Sequence, residues 1–479
     1  MAAQDGIIGR VVSRDAPARG FRSPGEGDRF FVSQEGAVTT RRRTFWRIAD
    51  ALWLAALAIY VLAGVDSVPF HGDESSLIAM SRDYVYLVQQ RQLEPVLYDP
   101  TPADPMEQEL RLINGTVGKM AMGLAWDLAG LTEADLNRPW LWGADWEYNV
   151  STGHLPGERL LRAARLSSAV LTVLSVIAVA AAAGLLGGRP AAWAAALLFV
   201  TAPAVLLNGR RAMMEGSHLA FSTWTALAAL LILREQARRP WRARRLVWLY
   251  VGLGALSGLA VASKHPAAMV VALAFAGVAL QPLRRPPERR AWVGHALRVL
   301  GAGLLALLVF LALNPAWWSD PLGMPGRVLE MRRTLLDQQV AGYGGYETWG
   351  ERLAELVTQA FGARPQYYES PGWAEWVADE IARYDGSFLA GRPGGWGWGA
   401  LLAALTTAGA WSLGRRWRDD VALGALGWAA GIALALLLAT PLAWQRYYLP
   451  LQPPLAVLAG YGAAAIGRWT WRRAGRGTA

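Results

Sequence analysis

The stretch RAARLSSAVLTVLSVIAV, residues 162–179, places two arginines in its first turn and then carries no charge to its end. An apolar run of about 18 residues or more is long enough to cross the hydrocarbon core of a bilayer as a helix. Runs of this kind recur at about 47–65, 161–183, 190–208, 215–234, 246–263, 266–282, 298–316, 396–414, 419–440 and 446–466. The chain has 479 residues, of which 53% are hydrophobic, and 24 are Trp, a composition foreign to soluble domains. We therefore expect an all-α integral membrane protein, a polytopic bundle of about ten transmembrane helices.

Arginine sets the orientation. RRR (41–43), REQARRPWRARR (234–245), RRPPERR (284–290), RRWR (415–418) and RWTWRR (468–473) fall consistently on one side of the ten runs. By the positive-inside rule that side is cytoplasmic and holds both termini, as expected for a multi-pass protein of the plasma or inner membrane. The formal net charge of +10 is thus a topology signal and not a nucleic-acid footprint, so no nucleic-acid partner is expected. Residues 1–45 read as a disordered cytoplasmic tail, polar and rich in Gly, Arg and Ser. The first apolar run starts too late for a cleavable signal peptide and should remain as a membrane helix. Residues 46–470 form one transmembrane domain, which receives two long extracytoplasmic loops at about 67–160 and 317–395. Residues 67–160, with Asp66, hold 15 Asp/Glu against six Lys/Arg, and 317–395 hold 11 against seven. Loops of this length are usually functional, and short juxtamembrane helices should roof a cavity there. With no cysteine in the chain, disulfides, thiolate metal sites and cysteine nucleophiles are excluded.

The unusual polar residues gather on the outer face. VPFHGDESSLIAMSRDY (68–84) puts Asp73 and Glu74 just beyond the first run. LNGRRAMMEGSHLAF (207–221) puts Arg210, Arg211 and Glu215 at the next outer turn, and GLAVASKHPAAM (258–269) adds Lys264 and His265. Only Lys119 and Lys264 are lysines in this arginine-rich chain. TPLAWQRYYLPLQPP (440–454) adds Arg446 and Tyr447, while Arg162 and Arg165 open the second run from the same side. Placing such charges in a membrane costs about 2.5–3.5 kcal/mol each even on the lenient insertion scale, so their convergence calls for a function. A carboxylate can take the proton of an attacking hydroxyl or amine. Cations can stabilise a departing phosphate, which needs no protonation. One base beside a cationic cradle at headgroup level suits group transfer from a lipid-linked phosphate. The alternative reading is a transporter or flippase whose charges bind a lipid-linked or anionic substrate without chemistry. Transporters, however, place their polar breaks at mid-membrane, and these lie at outer turns.

The motifs resemble glycosyltransferase family 39 of the GT-C superfamily, which is related to protein O-mannosyltransferases and bacterial aminoarabinose transferases. The resemblance runs over about 48–466. It rests on HGDES after the first run, RAARLSSAVLTVLSVIAV, GGRPAAWAAALLFVTAPAVLLNGRRAMMEGSHLAF, GLAVASKHPA and QRYYLPLQPPLAVLAG, in that order. It implies a GT-C-type bundle that moves a sugar with inversion from a polyprenyl-phosphate donor to a protein, lipid or glycan acceptor on the extracytoplasmic face. It also implies Asp73 as base with Glu74 beside it, and Lys264 as a lipid-phosphate ligand next to His265. Arg165, Arg210, Arg211 and Glu215 would assist, with Arg446 and Tyr447 matching an Arg-Tyr pair at the final helix. The family's acidic residue at the Glu215 position is commonly Asp. No cofactor is required by this scheme, although the Asp73–Glu74 pair leaves room for a divalent cation. The chain shows no large C-terminal soluble domain, which leaves acceptor recognition to the two outer loops.

Overall fold

The computed structural model describes residues 26–238, 243–284 and 289–474. The expected disordered tail lies outside the described residues over 1–25, as do the arginines at 239–242 and 285–288. From Glu26 the chain is already helical, within Glu26–Ala63. The chain divides into two units, Met1–Trp53 and Leu54–Ala479, and the second carries both outer loops and every candidate site residue.

Helices and turns are the only regular structure among the described residues. A bilayer enforces this, because a helix satisfies every backbone polar group within its own segment. Among the described residues eight helices are long and apolar enough to cross a membrane: Arg43–Ala63, Glu158–Gly187, Glu215–Gln236, Arg244–Ser263, His265–Arg284, Trp292–Leu313, Asp420–Ala439 and Gln445–Arg473. Two of the ten expected runs behave differently. The run at 190–208 is a bent pair, Arg189–Val200 and Pro203–Arg210, meeting at 64°. Ala202 takes an extended conformation, as the residue before a proline is steered to do, and Pro203 restarts the helix without needing an amide donor. Counting the pair as one span gives nine. The run at 396–414 forms a 19-residue helix, Trp396–Gly414, but its Trp, Gly and Thr leave it short of the hydropathy of the other spans.

The central helix is Glu215–Gln236, with 83% of its apolar stretch buried against neighbours, whereas Trp292–Leu313 has only 11% buried and presents its flank to lipid. Apolar side chains gain little by leaving lipid for protein, so helices associate in membranes through close backbone approach. Trp396–Gly414 and the last span do this. A Cβ on Gly409 would meet the Leu458 carbonyl oxygen at 2.0 Å, and one on Gly462 would meet that of Leu405 at the same distance.

Short helices occupy both long loops, as expected. The first holds Gly72–Met80, Pro105–Ile113, Thr116–Leu128 and Trp146–Ser151, and the second holds Met324–Tyr343, Trp349–Val357, Pro371–Glu375 and Ala378–Asp385. They pack over one end of the spans and help line an open cavity of about 900 Å³.

Candidate active site

Asp73 sits in the first turn of the helix Gly72–Met80, and that turn is capped on both sides. The His71 Nδ1 accepts from the Asp73 amide at 3.1 Å, and Glu74 Oε2 accepts from the His71 amide at 3.1 Å. This reciprocal cap fixes where the Asp73 carboxylate emerges. Gly72 is required because a Cβ there would lie 2.6 Å from the Trp140 ring. Across the cavity, Pro266 ends one helix and begins the next, so that Lys264 projects from the break between two spans.

Asp73, Glu215, Lys264, Arg446 and Tyr447, all singled out from the sequence, line the cavity together. Arg446 is the hub. It bonds Asp73 Oδ2, and its Nε faces Glu369 Oε1 at 3.1 Å. Glu369 in turn pairs with His71 Nε2 at 3.0 Å. Lys264 Nζ holds Glu215 Oε1 at 2.7 Å, and the Tyr447 hydroxyl donates to Gln339 at 3.0 Å. Burial pushes the Asp73 carboxyl up, but the Arg446 guanidinium and His71 outweigh it, so Asp73 is held below its ordinary range. The same balance of burial against Arg446 and His71 holds Glu369 well below the ordinary range.

Other sequence candidates lie away from the cavity wall. Glu74 is fully buried and grips Arg165 through two bonds, at 2.7 and 2.8 Å, while also accepting from the Ala212 amide at 2.8 Å. Arg210 donates to the carbonyls of Tyr60, Val61 and Leu389 and to the Tyr384 hydroxyl. Arg211 donates to the carbonyls of Pro69 and Tyr367. Arg210 thus ties the first span to residues 384–389, Arg211 joins Pro69 to Tyr367, and Glu74 with Arg165 joins the helix Gly72–Met80 to the span Glu158–Gly187. His265 packs its ring against Phe310 and Trp317 instead of facing the cavity.

Glu369 and Arg332 are charged wall residues that escaped the sequence reading. Glu369 is an isolated carboxylate in YYES, which carries no signal. Arg332, from Met324–Tyr343, is different. It is a cavity-lining cation with no ion-pair partner among the described residues, and its Nε has no hydrogen-bond partner. The Arg332–Arg333 pair falls in the loop expected to be extracytoplasmic, against the positive-inside pattern, and that exception is legible in the sequence.

The expected room for a divalent cation does not fit this geometry. Asp73 faces the cavity with Arg446, whereas Glu74 faces away into Arg165, so the two carboxylates do not converge. Among the described residues no three His, Asp or Glu side chains group as metal ligands.

The family model described as dolichyl-phosphate-mannose-protein mannosyltransferase matches residues 116–317. Among solved structures, ArnT from Cupriavidus metallidurans bound to undecaprenyl phosphate aligns with a TM-score of 0.50 and 15% identity. The alignment covers 88% of this chain and 60% of that one. The S. cerevisiae protein O-mannosyltransferase Pmt1–Pmt2 complex bound to the sugar donor aligns at 0.38 and 15%, over 55% and 33% of the two chains. AglB, an archaeal oligosaccharyltransferase from Archaeoglobus fulgidus, aligns at 0.48 and 14%, over 87% and 50%. No curated protein matches the chain. The chain thus spans 60% of the length of that ArnT. The resemblance read from the motifs is borne out, and the fold is that of a multi-pass GT-C membrane protein.

Proposed function

We propose that the chain is an inverting glycosyltransferase that moves a sugar from a polyprenyl-phosphate donor to an acceptor on the extracytoplasmic face. The observation that carries this reading is a cavity whose wall brings the Asp73 carboxylate together with Lys264, Arg332 and Arg446. Among the described residues Arg446 bonds Oδ2 of Asp73 and none bonds Oδ1, which leaves Oδ1 to take a proton. The acceptor oxygen would attack the anomeric carbon as its proton passes to Asp73. The bond from that carbon to the phosphate oxygen breaks on the opposite side, giving one displacement and inverted configuration. The lipid phosphate leaves with one more negative charge, and the cations are placed to stabilise it. Arg446 has a second use. A phosphate beside it competes for its charge and so raises the proton affinity of Asp73, strengthening the base when donor is present.

Arg332 provides the sharpest test, because removing it leaves no buried carboxylate without a partner. A charge-assisted hydrogen bond contributes about 1.5–3 kcal/mol, so Arg332→Gln should weaken donor use by roughly 10- to 150-fold. Lys264→Ala should act in the same direction and Lys264→Arg should rescue only in part, since a planar fork does not replace a point charge. The measurement is the dependence of transfer on donor concentration in nanodiscs. Unchanged donor dependence in Arg332→Gln and Lys264→Ala, with both proteins folded, would remove the phosphate cradle.

The face of the membrane has its own test. The chain has no native cysteine, so single cysteines report cleanly. An impermeant thiol reagent should label residues placed in 320–390 in intact cells and fail at 236–238. The opposite pattern would put the cavity on the cytoplasmic side and sink the proposed orientation.

A further inference from the structure

The cavity has a second, aromatic wall on the side of Asp73 marked by His71. Trp142 lines the cavity and remains 41% exposed there. Its ring meets Trp373 at 5.5 Å and 85°, Tyr368 at 6.5 Å and 74°, and His71 at 5.6 Å and 59°. These neighbours meet the indole tilted or edge-to-face and hold it in place, while the residue keeps its exposure to the cavity. His71 is itself stacked on Tyr368, with centroids 4.6 Å apart, which makes the mount rigid. The next residue keeps the space open, since a Cβ on Gly143 would meet nothing within 4 Å. Trp248, Trp411 and Trp469 are also exposed, but they belong to helices of the bundle, where interfacial and lipid-facing indoles are common. Trp142 is an exposed indole of the cavity interior.

Beside it stands a donor without an acceptor. Trp140 lines the same cavity, is 3% exposed, and its Nε1 has no hydrogen-bond partner. That edge of the ring lies against Gly72, where a Cβ would come within 2.9 Å of Nε1, so Trp140 gives the cavity wall its ring. Ser370, Gln338 and Glu109 add further polar groups to the wall. The combination of an open aromatic face with nearby hydrogen-bonding groups matches one ligand chemistry well. The C–H groups along one face of a pyranose carry slight positive charge and pack on the negative face of an indole, while the hydroxyls around the rim need donors and acceptors.

We infer that Trp142 and Trp140 form the acceptor subsite and that the acceptor is a saccharide, held with a hydroxyl toward Asp73. This deepens the transferase reading and rests on it. His71 joins the two parts, since it touches Trp142, pairs with Glu369 and caps the turn that carries Asp73. The acceptor would therefore dock beside His71 and Asp73, within the same cavity as the cations that would hold the donor.

The test uses the full chain in nanodiscs and saturation-transfer NMR, which reads the weak binding expected of single sugars. The probes are methyl α-D-mannopyranoside, methyl β-D-glucopyranoside and methyl β-D-galactopyranoside, with a short acetylated Ser/Thr peptide as the competing class. At least one glycoside should receive saturation, concentrated on the C–H protons of one ring face. The signal should fall to the no-protein level in Trp142→Ala and survive in reduced form in Trp142→Phe. Gly143→Gln, which leaves the indole in place and fills the space beside it, should lower the signal as well. Saturation of the peptide with none on any glycoside overturns the inference, as does an undiminished glycoside signal in Trp142→Ala. Undecaprenyl phosphate added to the same samples separates the acceptor subsite from the donor site. If it raises the melting temperature while no glycoside binds, the saccharide subsite falls and the transferase reading stands. If glycosides bind through Trp142 but the phosphate has no effect, the subsite stands and the donor assignment falls.

Discussion

Asp73→Asn should lower sugar transfer by about 10²- to 10⁴-fold, the usual loss when a general base is removed, with the protein still folded and still binding donor. Asn keeps the shape of the side chain and can still meet Arg446, but it cannot take the acceptor's proton. The pH profile carries the same assignment. Because Arg446 and His71 hold the Asp73 carboxyl below its ordinary range, the group is ionised down to pH values below the usual Asp pKa of about 3.9. The acid limb of kcat/KM should therefore lie below that value in the native protein and move upward in Arg446→Gln, where the main lowering charge is gone. The sign is fixed: a depressed carboxylate stays active above its folded pKa and is lost only as pH falls through it. Near-native transfer by a folded Asp73→Asn protein would end the assignment and return weight to a transport reading.

Glu74→Ala should unfold what Asp73→Asn leaves intact. Glu74 is fully buried, and burial alone would raise its carboxyl. Arg165, Arg211 and the Ala212 amide outweigh that and hold it low. Removing it strands the Arg165 guanidinium, which is 4% exposed, without a counter-charge. Breaking a buried pair in this way costs about 3–5 kcal/mol, a large part of the 5–15 kcal/mol typical of a folded domain. Thermal melting in detergent should show the loss directly. The double variant Glu74→Leu with Arg165→Met should melt above Glu74→Ala, because it removes both charges instead of orphaning one. A double variant that melts no higher than the single one would mean the ion pair is not what Glu74 contributes. Two adjacent carboxylates thus serve unlike ends: successive residues of a helical turn point in different directions, one into the cavity and one into the protein.

The apolar runs made the fold legible, because in a bilayer length and hydropathy dictate structure almost alone. The run at 190–208 misled on one point only: Pro203 is visible in the sequence, but whether a proline bends a span or ends it depends on the neighbours. In the site, Asp73, Lys264, Glu215 and Arg446 were legible because charge beside an apolar run is costly and therefore conspicuous. Arg210 and Arg211 share that conspicuousness and meet a different need. They supply donors to helix-end and loop carbonyls, and a charge count cannot separate an arginine that meets carbonyls from one that faces a cavity. Glu369 and Trp142 lie in loops where acidic and aromatic residues are common, so only the folded arrangement distinguishes them.

The bond between Asp73 and Arg446 spans 373 residues of sequence. On a ribosome extending at about 5–20 residues per second, roughly 20–75 s separate the emergence of the first partner from that of the second. Throughout that interval the growing polypeptide already sits in a membrane stocked with lipid carriers, yet the proposed base and its partner arginine have not met. A half-made chain therefore lacks part of the cavity wall in which transfer is proposed. An abandoned translation product that lacks the last helix would carry Asp73 without Arg446 and Tyr447, and so without a complete site of the kind proposed.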